Sequence, residues 1–68
     1  MEKIKIETEY IKLDAALKFT GIAMTGGEGK IIISEGCVSV NGEVCTQRGK
    51  KLRPGDVFIV EGENFEIV

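Results

Sequence analysis

Residues 3–8 alternate, with Ile4 and Ile6 on one side and Lys3, Lys5 and Glu7 on the other, the period of a half-buried strand. From Leu13 the period lengthens. Leu13, Ala16 and Leu17 share one face at helical spacing, Asp14 and Lys18 stand four apart on another, and Gly21 ends the segment. Thr25-Gly26-Gly27-Glu28 fits a capping box. The Thr25 hydroxyl accepts from the amide of residue 28, and Glu28 reaches back to the amide of Thr25. A second helix then runs to about Glu35, with Gly36 as its left-handed cap. A strand competes for this segment, because Ile31-Ile32-Ile33 is β-branched and apolar; signals at both ends favour the helix.

Short strands follow. Val38 and Val40 alternate into Asn41-Gly42, a strong hairpin signal. Arg53-Pro54-Gly55-Asp56 suits a type II turn, with proline second and glycine third. Val57–Val60 reads as a strand, 61–64 as a loop, and Phe65–Val68 as a final strand. The order of strand, helix, helix and several short strands predicts an α+β domain.

The chain has 68 residues, room for a single domain spanning 1–68. Chains of this size bury only about 60% of their unfolded surface. No apolar run approaches the ~18 residues of a membrane span, and Met1-Glu2-Lys3-Ile4-Lys5 does not read as a signal peptide, so a cytoplasmic location is expected.

Two cysteines and no histidine make a metal site within one chain unsupported. A two-residue Asn41-Gly42 turn pairs 38 with 45 and sets Cys37 and Cys45 on opposite faces of the ribbon. A three-residue loop makes them same-face neighbours but not partners. Neither register favours a disulfide, and two reduced thiols at the core edge are expected. Serine occurs only as Ser34 and Ser39, and without histidine no nucleophile–base set is visible. The reading is of a non-enzyme with no cofactor, no membrane partner and no small-molecule substrate.

Net charge is −2, but it is unevenly spread. Residues 10–55 sum to +3 and residues 56–68 to −4. Arg48, Lys50, Lys51 and Arg53 crowd one segment without an acid between them. That cluster has two readings: a solvated strand edge guarded by lysines, or a surface that tracks phosphates. On a regular strand Arg48 and Lys50 share a face with Leu52, and Lys51 and Arg53 point the other way unless Gly49 makes a bulge. Gly26-Gly27 likewise has two readings, a tight entry into the helix or bare first-turn amides for a phosphate, with Lys30 beside them. Lys30 and Ser34 share a helix face. Aromatics are few. Phe58 and Phe65 read as core, and Tyr10 alone has a polar tip. Recognition is therefore expected to lean on backbone and shape more than on base stacking.

From about Lys12 to Val60 the sequence resembles the RNA-binding domain of small-subunit ribosomal protein four, here the S-four-like domain. Leu13-Asp14-x-x-Leu17 looks like its opening helix, and Thr25 to Gly36 occupies its second. Gly36-Cys37-Val38-Ser39-Val40-Asn41-Gly42 matches its Gly-x-Val-x-Val-Asn-Gly signature, and Pro54-Gly55-Asp56-Val57 its closing turn. The Thr-Gly-Gly-Glu start and the Arg-Gly-x-Lys-Leu segment look most like small stand-alone bacterial members. The resemblance implies two helices packed on a small, strongly bent antiparallel sheet, the alpha-L motif. It also implies a basic RNA-binding face carried over to Lys12, Lys18, Thr25, Gly26, Gly27, Lys30, Asn41, Arg48, Lys50, Lys51 and Arg53. Gly26 stands where many members have an arginine, which removes one guanidinium–phosphate contact. The partners implied are ribosomal or transfer RNA in translation or ribosome assembly, alongside ribosomal proteins. The competing reading is a protein–protein adaptor that kept the fold, favoured by the acidic tail and the missing arginine.

Overall fold

The computed structural model describes residues 1–68. Nine elements follow in chain order: β1 (Glu2–Ile4), β2 (Ile11–Lys12), α1 (Leu13–Thr20), α2 (Gly26–Ser34), β3 (Val38–Val40), β4 (Glu43–Val44), β5 (Lys51–Leu52), β6 (Val57–Val60) and β7 (Glu63–Ile67). Five strands form one sheet in the order β1-β7-β6-β3-β4, and β2 pairs with β5 as a separate ribbon. The expected antiparallel ladder holds for β7, β6, β3 and β4. At one edge β1 departs from it and joins β7 in parallel, setting Ile4 against Ile67. Both side chains of that pair are buried.

The helices form where the apolar spacing places them. In α1, Leu13, Ala16 and Leu17 are buried, and Gly21 closes the helix at φ 83° with its N–H donating to the Lys18 carbonyl (3.1 Å). In α2 the isoleucine run settles the competition between helix and strand. On a strand Ile31 and Ile33 would share a face. Here Ile33 is 0% exposed and Ile31 57% exposed, as helical rotation requires. Thr25 Oγ1 accepts from the Glu28 N–H (3.2 Å), half of the expected capping box. The reciprocal half is displaced by one residue: Glu28 Oε1 accepts from the Met24 N–H (3.1 Å), not from Thr25. At the other end, the Gly36 N–H donates to the Ile33 carbonyl and the Cys37 N–H to the Ile32 carbonyl. That pair of bonds is a Schellman closure, and Gly36 supplies its left-handed residue at φ 79°.

The helices meet at Gly29, which is buried; a Cβ built there would lie 3.6 Å from the Asp14 carbonyl oxygen and 3.7 Å from Ala23 Cβ. In the sheet, Phe58 pairs with Phe65 across β6 and β7, and the rings stack at 5.0 Å. A stacked pair contributes about 0.5–1.5 kcal/mol beyond its buried area.

Two turns differ from expectation. The segment 61–64 is not a loop: Glu61 and Gly62 alone make a two-residue turn with φ of 53° and 76°, and Glu63 and Asn64 belong to β7. Residues 48 and 49 are a turn and not strand, so the alternation assumed for Arg48 and Lys50 does not apply. The Asn41-Gly42 turn takes the two-residue register, pairing Val40 with Glu43 and Ser39 with Val44. Both cysteines are free thiols; Cys45 packs at the core edge as expected, whereas Cys37 is exposed.

Candidate nucleic-acid interface

Lys12 and Lys51 stand directly opposite each other in the β2–β5 ribbon, and Ile11 opposes Leu52. Directly opposed residues share a face, so the ribbon has one apolar and one cationic side. Leu52 and Ile11 pack into or against the core, while Lys12, Lys51 and Arg53 are exposed. Continuing the register by one residue brings Tyr10 to Arg53. The observed geometry agrees: Arg53 Cζ lies 5.8 Å and Lys51 Nζ 4.9 Å from the centroid of the Tyr10 ring. Like charges placed directly opposite oppose folding by an amount on the order of a few tenths of a kcal/mol. The ribbon holds that arrangement on its solvent side.

The turn before β5 is fixed by the start of α1. The N-cap residue Lys12 offers no side-chain cap. Instead, the Leu13 N–H donates to the Lys50 carbonyl (2.9 Å) and the Asp14 N–H to the Arg48 carbonyl (3.1 Å). The Lys50 N–H closes its own turn on the Gln47 carbonyl (3.1 Å). The 48–50 backbone thus serves as the cap of α1, at about 1 kcal/mol per bond. The side chains of Arg48 and Lys50 are left exposed. Because these amides are occupied, the first turn of α1 offers no phosphate cradle.

The start of α2 is different. Its Gly26 and Gly27 are exposed, and a Cβ at Gly26 would meet nothing within 4 Å. Only the Thr25 hydroxyl, 3.8 Å away, would be near one at Gly27. Glu28 is turned back to the Met24 amide. Lys30 is exposed and adjoins Gly29, where α2 rests on the Asp14 backbone. The structure therefore links the start of α2, the start of α1, the 48–50 turn and the β2–β5 ribbon through successive contacts. Lys18 is exposed one turn further along α1.

Asn41 is placed among bonds to the protein itself. Its Nδ2 donates to Asp56 Oδ1 (3.1 Å), its Oδ1 accepts from the Val57 N–H (3.0 Å), and its own N–H donates to the Val57 carbonyl (2.7 Å). Asp56 Oδ2 also accepts from the Arg53 N–H (2.8 Å). The Val-Asn-Gly and Pro-Gly-Asp turns are thereby clipped together. The Arg53 N–H holds the Asp56 carboxyl below its ordinary 3.8; partial desolvation acts against this, and Asn41, Lys50 and Arg53 reinforce it.

Tyr10 was missed as a neighbour of the cations because β2 was not predicted. Two residues are too few to show a period. The signal lay in comparison: Tyr10-Ile11-Lys12 and Lys51-Leu52-Arg53 share one pattern, an apolar residue between two that face out.

Fold and surface together define a class: a small α+β domain with exposed lysines and arginines on one turn and ribbon. The chain belongs to the S4 domain family, whose family model matches residues 4–68. It is 42% identical over 66 residues to the probable ribosome maturation protein RlbA of Bacillus subtilis (strain 168), covering 96% of this chain and 93% of that one. Among solved structures it resembles YbcJ from E. coli, with TM-score 0.74, 29% identity and coverage of 100% of this chain and 87% of the other. The YbcJ solution structure reveals an alpha-L motif involved in RNA binding. The ribosomal protein S4e of Thermoplasma acidophilum shares the fold, with TM-score 0.68 and 20% identity over 91% of this chain and 33% of the other.

Proposed function

We propose that this protein is a non-catalytic RNA-binding module that contacts structured RNA, ribosomal or transfer, in ribosome maturation. The observation that carries the reading is the opposed Lys12–Lys51 pair, exposed beside Arg53 on a ribbon whose other face is core. Two directly facing lysines repel each other, and an anion between them turns the repulsion into attraction. The 48–50 turn, with Arg48 and Lys50 exposed, adjoins this ribbon at the start of α1, and α2 in turn packs on α1 through Gly29. Phosphate contacts of this kind position the protein and leave sequence to be read elsewhere. The relation to a ribosome maturation protein and to a structure with an RNA-binding motif supports the same reading.

The test is the double variant Lys50→Glu with Lys51→Glu. Its binding to ribosomal RNA is expected to fall steeply while its melting curve stays cooperative. For the wild type, log affinity is expected to fall with log salt by roughly 0.7–0.9 per phosphate contacted. If the double variant sediments with ribosomes as the wild type does, the ribbon is not the contact.

A protein-adaptor reading is favoured by one observation: Phe19 and Met24 are 67% and 75% exposed near the end of α1. Crosslinking in cells separates the two, since an adaptor yields protein partners without RNA.

A further inference from the structure

We propose that Tyr10 is a stacking platform for one unpaired nucleotide of the bound RNA, with Lys12 and Lys51 holding the adjoining phosphate. The proposal rests on the RNA-binding reading and adds a base to a surface otherwise suited to backbone alone.

Three observations converge on the ring. First, its position is built: the Thr8 hydroxyl donates to the Tyr10 carbonyl (2.8 Å), and the next residue, Ile11, is anchored against the core opposite Leu52. The backbone on both sides of Tyr10 is therefore held while its side chain stays half-buried on the cationic face. Second, two cations already use the ring, Lys51 at 4.9 Å and Arg53 at 5.8 Å. A π-face next to two positive charges matches the two halves of a nucleotide. Third, the other rings are less suited. Phe58 and Phe65 are buried against each other, and Phe19 lies toward the far end of α1 from the ribbon.

Relative magnitudes decide whether a base could take the place of a cation. An exposed cation–π contact is weak. A base stacked on an aromatic ring tightens binding by about 5- to 150-fold. When a nucleotide arrives, Lys51 moves from the ring to the phosphate and keeps a partner, and the base takes the ring. Arg53 leaves the ring in the same way and turns to the phosphate, so two weak cation–π contacts are exchanged for one stacked base while both cations keep a partner.

The chain itself provides the readout, because Tyr10 is its only tyrosine and it has no tryptophan. Tyrosine emission would be followed while adding a short RNA hairpin with a uridine loop, or the same hairpin with an abasic loop of equal charge. Stacking predicts that the uridine hairpin quenches the emission and that the abasic one binds about 5- to 150-fold more weakly. Tyr10→Phe should bind both hairpins as wild type does. Tyr10→Leu, checked for an unchanged melting temperature, should lose the preference for the uridine loop and keep the salt dependence. Equal, salt-sensitive binding of both hairpins without quenching overturns the platform and leaves the RNA reading standing. Failure of the wild type to bind either hairpin or ribosomal RNA at low salt overturns both.

Discussion

Asn41 and Asp56 lie 15 positions apart and share a 3.1 Å hydrogen bond that ties two signature turns together. Asn41 takes φ 51°, a region asparagine tolerates better than most residues, and its amide serves both Asp56 and the Val57 backbone. Asn41→Ala loses both side-chain bonds, and chemical denaturation should show a loss of about 1–3 kcal/mol. Asp56 adds a pH dependence with a definite sign. Its carboxyl is held below the ordinary 3.8, so the stability it contributes is present above that value and is lost as pH falls through the lower, folded one. Acid titration of the melting temperature should therefore show a decline below about pH 4 that Asp56→Asn makes shallower. An equally steep decline in that variant would assign the acid limb to other carboxylates. The sequence motif was legible at this scale, but the bond between its halves was not. The resemblance sets Asn41 on the RNA face, and the structure adds that its side chain is bonded to Asp56 and to the Val57 backbone.

Between helices and strands, the chain was legible wherever a period ran long enough or a cap was chemically distinctive. Leu13, Ala16 and Leu17 marked α1, and Thr25 with Gly36 marked both ends of α2. The short β2–β5 ribbon escaped because its stability is tertiary. It forms where Ile11 and Leu52 meet over the core and where the 48–50 carbonyls accept the first amides of α1. Its functional cost is concentrated in the Lys12–Lys51 pair, which makes a sharp prediction. Lys12→Glu places an acid opposite Lys51 and at the N-cap of α1, where the helix dipole favours negative charge. The variant should unfold about 0.5–1 kcal/mol later in denaturant than wild type. Its affinity for ribosomal RNA should nonetheless drop several-fold at low salt. Stability rising while binding falls identifies a residue kept for its ligand; a loss of both would make Lys12 a structural residue.

Over the whole molecule, a net charge of −2 coexists with a cationic ribbon, and two of the acids, Glu61 and Glu63, lie at the turn between β6 and β7. The tail folds into the β6–β7 hairpin, whose base is clipped to the Arg53–Asp56 turn through the Ile67 backbone: the Gly55 N–H donates to its carbonyl (2.8 Å) and its N–H to the Asp56 carbonyl (2.9 Å). Glu61 and Glu63 stand at the opposite tip. Four strand residues separate Asp56 from that tip, about 13 Å at 3.2–3.4 Å per residue. The Debye length at physiological ionic strength is about 8 Å, so the tip charges are largely screened from a phosphate bound at the ribbon. In dilute buffer near 0.01 M the screening length grows to about 30 Å, beyond the molecule's longest extent of 26 Å, and the full −2 acts on an approaching RNA. Glu61→Gln with Glu63→Gln should then raise affinity for ribosomal RNA several-fold in dilute buffer and leave it unchanged near 0.15 M. Glu61 should be tested with a second substitution, Glu61→Asn, because it holds φ 53° in its turn and asparagine accepts that conformation more readily. An equal gain at both salt concentrations would place the acids within reach of the RNA itself.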